Sequence, residues 1–197
     1  MNGLELFSAP AIEPITLTEV KEHLRIDSSN TSEDDFINTL IAAATIYYQG
    51  KSWRQLITAT YKQYLEDFPA VGLELRKPPL QSVTSIKYED VNGVEQTLSS
   101  SVYQVDSKSE VGRIVLADGE SYPDTDDVIN AVTIEYKAGY GDAASDVPAL
   151  VKSVLKLIVA HLFENRDMVT KMGTPAQVPF PEAIDMLINQ HSIRSFI

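Results

Sequence analysis

The sequence predicts an α+β protein, because helical periodicity occupies both ends of the chain and strand and turn signals fill the middle. Its 197 residues fit a single domain, 1–197. We expect an N-terminal helix pair and a long C-terminal core helix, at about residues 16–53 and 147–167, to pack together. An antiparallel β region of about six strands, at about residues 57–138, is inserted between them. Residues 168–197 are expected to form a flexible tail.

The start of the first helix is marked by a capping box and a hydrophobic staple. Thr16 and Glu19 have the Ser/Thr-x-x-Glu spacing, and Ile15 and Val20 stand where a staple places apolar residues. A second helix is predicted to begin near Ser32 and to stop at Gly50. The chain therefore opens with two helices.

Strand signals then replace the helical period. Strand-forming residues or short apolar runs occur at residues 57–64, 82–88, 94–98, 103–105, 113–116 and 131–138. Asn92-Gly93 separates two of these runs and predicts a hairpin. After Gly139 and Gly141 the helical period returns: Pro148 suits a first helical turn, and residues 150–163 are apolar nearly all round. Residues 181–189 predict a last short helix.

Composition excludes several classes of function. The chain has no cysteine, so it has neither disulfides nor thiolate metal sites. Its 28 acidic and 16 basic residues give a formal net charge of −12, which opposes tight binding to nucleic acid or anionic membranes. No run is long and apolar enough to span a bilayer, and the first residues do not resemble a signal peptide.

Catalytic and metal-binding patterns are missing from the sequence. No G-x-S-x-G elbow or H-E-x-x-H pair occurs, and the acidic loop at residues 124–127 lacks the spacing of a calcium loop. His161, in the most apolar helix, is interpreted as a hydrogen-bonded structural histidine. We therefore predict no catalytic residues, no metal and no cofactor.

Several short sequence motifs follow one another in a fixed order along most of the chain. The first is ITLTEVKEHLRI at residues 15–26, and others lie at residues 34–48, 54–57, 68–69, 77–80, 83–88, 93, 103–106, 136–141, 147–148 and 161–166. Together they resemble the small head-to-tail connector proteins of tailed phages and prophages, also called adaptor or head-completion proteins. In one departure, Trp53 stands ahead of Arg54 where a glycine is expected.

The resemblance implies a structural subunit of the phage neck and no enzyme. In that family a homo-oligomeric ring, twelve-fold on the portal, docks to the portal protein, extends the DNA channel and links head to tail. A stopper or tail-completion protein would bind the ring, and double-stranded DNA would pass through without specific recognition; no membrane is involved. The expected location is the neck of the virion, with host cytoplasm during assembly.

Two sets of residues are candidates for contacts in such a ring. The candidate portal-docking residues follow the predicted linker and are Arg194, Phe196 and Ile197. The candidate inter-subunit residues are charged positions on helix two and the core helix, namely Glu33, Asp34, Lys152 and Lys156.

Three alternatives stay open. One is another neck component, such as a stopper or tail-completion protein, which is expected to lack the paired front helices. Another is a non-viral ligand-binding module that uses a pocket in the β region. The third is an enzyme assembled from distant residues, for example Asp67, Glu135 and His161.

Overall fold

The computed structural model describes residues 3–166 and 181–193. It confirms the α+β class, with four α-helices and eight strands in antiparallel sheets within these residues. The chain divides into two compact units, each built from two separate segments. The β unit comprises Met1–Ala11 and Arg54–Asp142, and the helical unit comprises Ile12–Trp53 and Ala143–Ile197. One connector domain over residues 1–197 stays a prediction.

The first helix, α1 (Leu17–Leu24), has the predicted cap. The Thr16 backbone N–H donates to the Glu19 carboxylate at 2.8 Å, and the Glu19 N–H donates to the Thr16 hydroxyl at 3.2 Å. Ile15 and Val20 are both buried, as a staple requires. The helix ends at Arg25, which adopts the left-handed conformation with φ 58°.

The second helix, α2 (Asp34–Ser52), differs from the prediction at both ends. Glu33, not Ser32, is the N-cap residue, because the Ser32 hydroxyl donates instead to the Asn30 side chain at 2.7 Å. The predicted stop at Gly50 is wrong: the helix continues to Ser52, which is fully buried. Ser52 is buried and its carbonyl accepts from the Ile193 N–H at 3.0 Å, which offsets the cost of a glycine inside a helix, about 1 kcal/mol.

The remaining helices lie close to their predicted positions. Helix α3 (Ala149–Glu164) follows Pro148, and helix α4 (Glu182–Gln190) lies inside the predicted tail. Within the helical unit, α3 buries one apolar face, which consists of Val151, Val154, Leu155, Ile158 and Val159. The Phe36 ring of α2 and the Phe163 ring of α3 meet with their centroids 6.1 Å apart, so these two helices pack together.

The β unit holds two antiparallel sheets. A five-stranded sheet has the order β1-β2-β8-β4-β5, with strands β1 (Gly3–Ser8), β2 (Ala59–Leu65), β4 (Leu80–Glu89), β5 (Glu95–Thr97) and β8 (Val132–Ala138). A three-stranded sheet has the order β3-β7-β6, with strands β3 (Leu73–Glu74), β6 (Tyr103–Asp106) and β7 (Arg113–Leu116). The six predicted strands are present, and β1 and β3 are additional.

The predicted hairpin joins β4 to β5 at Asn92-Gly93. Gly93 has φ +72°, and its N–H donates to the Asp90 carbonyl at 2.8 Å. The Asp90 side chain also accepts from the backbone of Asn92 and Val94, which fixes the turn.

A buried polar network lies among the core side chains of the β unit. The Tyr61 hydroxyl donates to the Gln55 side-chain oxygen at 2.6 Å, and the Gln55 amide donates to the Ile57 carbonyl at 2.8 Å. The Tyr136 hydroxyl donates to the Arg76 carbonyl at 2.9 Å. Each of these polar groups therefore has a partner in the core, as burial requires.

Candidate assembly surfaces

The described residues include no group of three or more His, Asp or Glu arranged to hold a metal ion. The enzyme alternative rested on Asp67, Glu135 and His161. Asp67 accepts a hydrogen bond from the Thr125 hydroxyl at 3.1 Å, the Glu135 carboxylate lies 3.9 Å from the Lys62 ammonium, and His161 lies 3.5 Å from the Asn165 amide. Each of the three has a structural neighbour of its own.

None of the helices in residues 3–166 and 181–193 is long and apolar enough to cross a membrane.

Three of the four candidate inter-subunit residues have ionic partners inside the helical unit. Lys152 of α3 pairs with Glu19 of α1. The Asp34 carboxylate lies 2.5 Å from the buried Lys21 ammonium, whose Nζ also donates to the Asn30 carbonyl at 2.8 Å. These charges stabilise the fold of one chain, and a role between subunits stays a prediction.

The third of these ion pairs joins Glu33 to Arg166. Its guanidinium donates to Glu33 at 2.5 Å and lies 4.5 Å from the centroid of the Phe36 ring and 4.9 Å from that of Phe163. Arginine gains from such stacking because its planar cation meets the negative face of the ring. Glu33, at the start of α2, thereby has an ionic partner just beyond the end of α3.

The outward side of α3 carries apolar residues. Leu150, Ser153 and Leu157 share one side of the helix, since they are three and four residues apart. Leu150 is 45% exposed and Leu157 40% exposed, and the candidate Lys156 is half-buried next to them. We call Leu150, Ser153 and Leu157 the α3 stripe. Sequence periodicity missed the stripe, because a helix that is apolar nearly all round is predicted to be buried on every side.

The candidate portal-docking residues Arg194, Phe196 and Ile197 lie outside the described residues. The residue just before them, Ile193, is buried, and its N–H donates to the Ser52 carbonyl at the end of α2 at 3.0 Å. The Tyr47 hydroxyl of α2 donates to Asp185 of α4 at 2.8 Å, and Ile184 and Ile188 are buried. Helix α4 and residues up to Ile193 are thus part of the folded helical unit.

The five-stranded sheet has an outer face of alternating charge. Lys87 donates to Glu95 at 2.7 Å across the hairpin, and the Lys62 ammonium lies 3.7 Å from the centre of the Phe7 ring. Lys87 forms a hydrogen bond with Glu95 and lies close to its negative charge, and both effects raise the pKa of Lys87.

A shallow depression of about 210 Å³ lies over this face, and another of about 230 Å³ is lined by residues that include Ser8, Ile57 and Asp142. Both are smaller than typical ligand pockets, about 300–1,000 Å³.

The fold defines a class: an α+β protein with a β unit of two antiparallel sheets and a helical unit. Residues 14–109 match the family model of the phage gp6-like head-tail connector proteins. This match confirms the family resemblance inferred from the sequence, and the chain carries a gp6-like head-tail connector region. The family is one of structural connectors. No curated protein sequence gives a significant match.

Solved structures extend the likeness to nearly the whole chain. A chain in the neck of an empty gene transfer agent (GTA) particle, computed with C6 symmetry, is 21% identical with a TM-score of 0.76, and the match covers 98% of this chain and 97% of that one. A chain in the virion of a native GTA particle gives the same values. A chain in the neck of a native GTA particle, computed with C12 symmetry, is 19% identical with a TM-score of 0.68, over 98% and 97% of the two chains. At these identities the comparison shows a shared fold.

Proposed function

We propose that this protein is the ring-forming adaptor subunit of a phage or phage-like neck, where it docks onto the portal, extends the DNA channel and links head to tail. The observation that carries the proposal is the connector-family match over residues 14–109, joined to a fold shared along 98% of the chain with chains from GTA particles. Those particles have necks described with C6 and C12 symmetry, which supports a ring in the virion. The subunits would assemble in the host cytoplasm before they join the particle.

The α3 stripe supports a contact between copies of the chain. A ring of identical subunits needs two different complementary faces on each protomer. Leu150 and Leu157 offer an apolar face that one chain leaves exposed, and Lys156 beside them offers a charge for an acidic neighbour. Among the candidate charges, Glu33 is only loosely engaged, because its pair with Arg166 is partly exposed and such pairs are weak.

The net charge supports a channel that does not grip DNA. A formal charge of −12 per subunit repels the phosphate backbone, so the duplex gains nothing by binding the wall. Because every subunit carries the same negative charge, the subunits repel each other. Added salt weakens this repulsion by shortening the distance over which it acts. Ring formation should therefore strengthen between about 0.05 and 0.5 M salt, while duplex DNA should show no binding in a gel-shift assay.

Sedimentation velocity of the protein alone and mixed with portal rings of the same particle tests the proposal. Co-sedimentation at one fixed, ring-like stoichiometry is the expected result. Loss of four residues by truncation after Ile193 should abolish portal binding and leave the helical unit folded, because Ile193 still bonds to Ser52. A protein that ignores the portal would instead favour a stopper, a tail-completion protein or a ligand-binding module.

A variant on the α3 stripe separates ring contacts from portal contacts. Leu150→Glu with Leu157→Glu should prevent ring formation, since each places a charge in an apolar contact. Asn38→Glu, an exposed position on α2, adds one charge outside the stripe and is the control. If the stripe variant forms rings as well as the control does, the stripe is not the subunit interface.

A further inference from the structure

One end of the β unit is formed by two segments that lie side by side. The first is the turn of the β4–β5 hairpin, and the second is the loop between β7 and β8. The Glu89 carbonyl accepts from the Asp126 N–H at 3.0 Å, and the Glu89 N–H donates to the Ala131 carbonyl at 2.9 Å. Asp90 and Thr125 form a further antiparallel bridge. We call residues 88–97 and 117–131 the β tip.

Aromatic packing holds the loop of the β tip in place. The Tyr122 ring stacks on Phe68 with centroids 4.5 Å apart and an interplanar angle of 4°, and Phe68 meets Tyr88 edge-on at 5.7 Å. The Thr125 hydroxyl donates to Asp67 at 3.1 Å. A loop fixed in this way loses little conformational freedom on binding, so its exposed side chains are prepared for a partner.

Four aliphatic side chains of the β tip are exposed. They are Val91, Val94, Val128 and Ile129, and the most exposed are Ile129 at 83% and Val91 at 63%. Single exposed apolar residues are common on protein surfaces and need no explanation. Four on two segments that are bonded to each other form a cluster, and such clusters are typical of interaction surfaces.

The two segments of the β tip carry acidic side chains and no basic one of their own, and the adjacent Lys87 pairs with Glu95. Residues 88–97 and 117–131 contain eight Asp or Glu residues and neither Lys nor Arg. The charge of these segments therefore equals about two thirds of the net charge of the chain. Such a field repels nucleic acid, anionic lipid and the β tip of a second copy, and it attracts a surface rich in Lys and Arg.

We propose that the β tip docks into an apolar depression, ringed by Lys and Arg, on another protein of the neck. The inference rests on the proposed function for the identity of that neighbour. Val91 and Ile129 supply the buried centre of the contact, and Asp124 and Asp127 lie at its rim, where charge speeds association. This surface is separate in sequence from the α3 stripe and from the candidate docking residues 194–197.

The test measures binding of the full chain to two purified probes, the portal ring and the tail-side neighbour protein of the same particle. We expect the Val91→Ser, Ile129→Ser double variant to weaken binding to one of them by about tenfold or more. Val71→Ser is the matched control, because Val71 is 82% exposed in the same unit but lies outside the β tip. Urea unfolding of all three proteins should coincide, since only exposed positions change.

A second variant tests the charge of the rim. Asp124→Asn with Asp127→Asn should lower the association rate for the same probe and weaken its dependence on salt, with little change in the dissociation rate.

Each contrary outcome has a separate meaning. Equal binding of both probes by the wild type, the double serine variant and the control overturns the inference alone. The inference alone is also overturned if the wild type binds the portal through residues 194–197 and the β-tip variants bind both probes as the wild type does. A wild type that binds neither probe overturns the proposed function together with this inference.

Discussion

The Lys152 ammonium of α3 pairs with Glu19, the same carboxylate that closes the capping box at the start of α1. One side chain thus satisfies a helix N-terminus and ties it to a second helix of the same unit. Burial alone raises the pKa of Glu19, but the hydrogen bonds and charge of Lys152 and the hydrogen bonds from Thr16 lower it below its usual value overall. Glu19 therefore contributes stability as an anion.

A double-mutant cycle measures the tie between these two residues. Glu19→Gln retains a cap acceptor but loses the charge, and Lys152→Met removes the ammonium while keeping the packing of the stem. We expect a coupling of about 0.5–1 kcal/mol in urea unfolding at pH 7, typical of a partly exposed pair. Because the folded pKa is lowered, the coupling should fade as pH drops from the unfolded value through the folded one. A coupling that is unchanged at low pH would contradict the ion pair.

Arg25 offers a position where a smaller residue should stabilise the fold. It ends α1 in the left-handed conformation with φ 58°, and its side chain is exposed. The left-handed conformation costs a residue with a Cβ atom about 1–2 kcal/mol, and glycine avoids that cost.

Arg25→Gly should therefore raise the free energy of unfolding by about 0.5–1 kcal/mol, after allowance for the greater freedom of glycine in the unfolded chain. Arg25→Ala is the control, since it loses the same charge near the helix end but keeps the Cβ atom. Thermal unfolding of the two variants compares them directly. Equal stability of Gly and Ala at this position would contradict the argument.

Local signals explain which parts of the fold were predictable. The capping box at Thr16 and the turn at Gly93 depend on neighbouring residues alone, and both are confirmed. The predicted end of α2 was wrong, because burial of Ser52 and its hydrogen bond with Ile193 favour a helix that continues past Gly50. The glycine expected ahead of Arg54 has a structural reason: Trp53 adopts φ 60° there.

Edges and surfaces were harder to predict. Strand β1 is an edge strand whose Leu6 and Phe7 are exposed, so it lacks the alternation of a strand with one buried face. The pairs Lys152–Glu19 and Arg166–Glu33 join residues far apart in sequence, and only the folded chain brings them together. Apolar residues at 150, 157 and 129 look the same in sequence whether they face the core or a partner protein.

The hydroxyl of Tyr61 should be important for stability. It donates to Gln55 at 2.6 Å, and both residues are buried. Tyr61→Phe leaves the Gln55 oxygen without this donor and should cost about 1–3 kcal/mol in urea unfolding. Tyr103→Phe is the control: its hydroxyl has no hydrogen-bond partner in the part of the chain that the structure describes, and we expect a change within about 0.5 kcal/mol. Equal effects would show that the buried bond is not stabilising.

Asp106 predicts a specific dependence of stability on pH. Hydrogen bonds from the Ser109 hydroxyl, the Ser109 and Lys108 N–H groups and Arg113 lower its pKa to about 2. A carboxyl whose pKa is lower in the folded than in the unfolded chain stabilises the fold above its unfolded pKa, and this contribution is lost as pH falls through the folded value. Asp106→Asn should thus lower the urea midpoint above about pH 4, where the wild-type carboxyl is charged in both states. The two midpoints should converge as pH approaches 2.

Lys108→Ala is the control, because it keeps the backbone donor to Asp106 and should leave the wild-type pH profile unchanged. A constant difference between wild type and Asp106→Asn at all pH values would show that the loss of stability comes from packing rather than from charge.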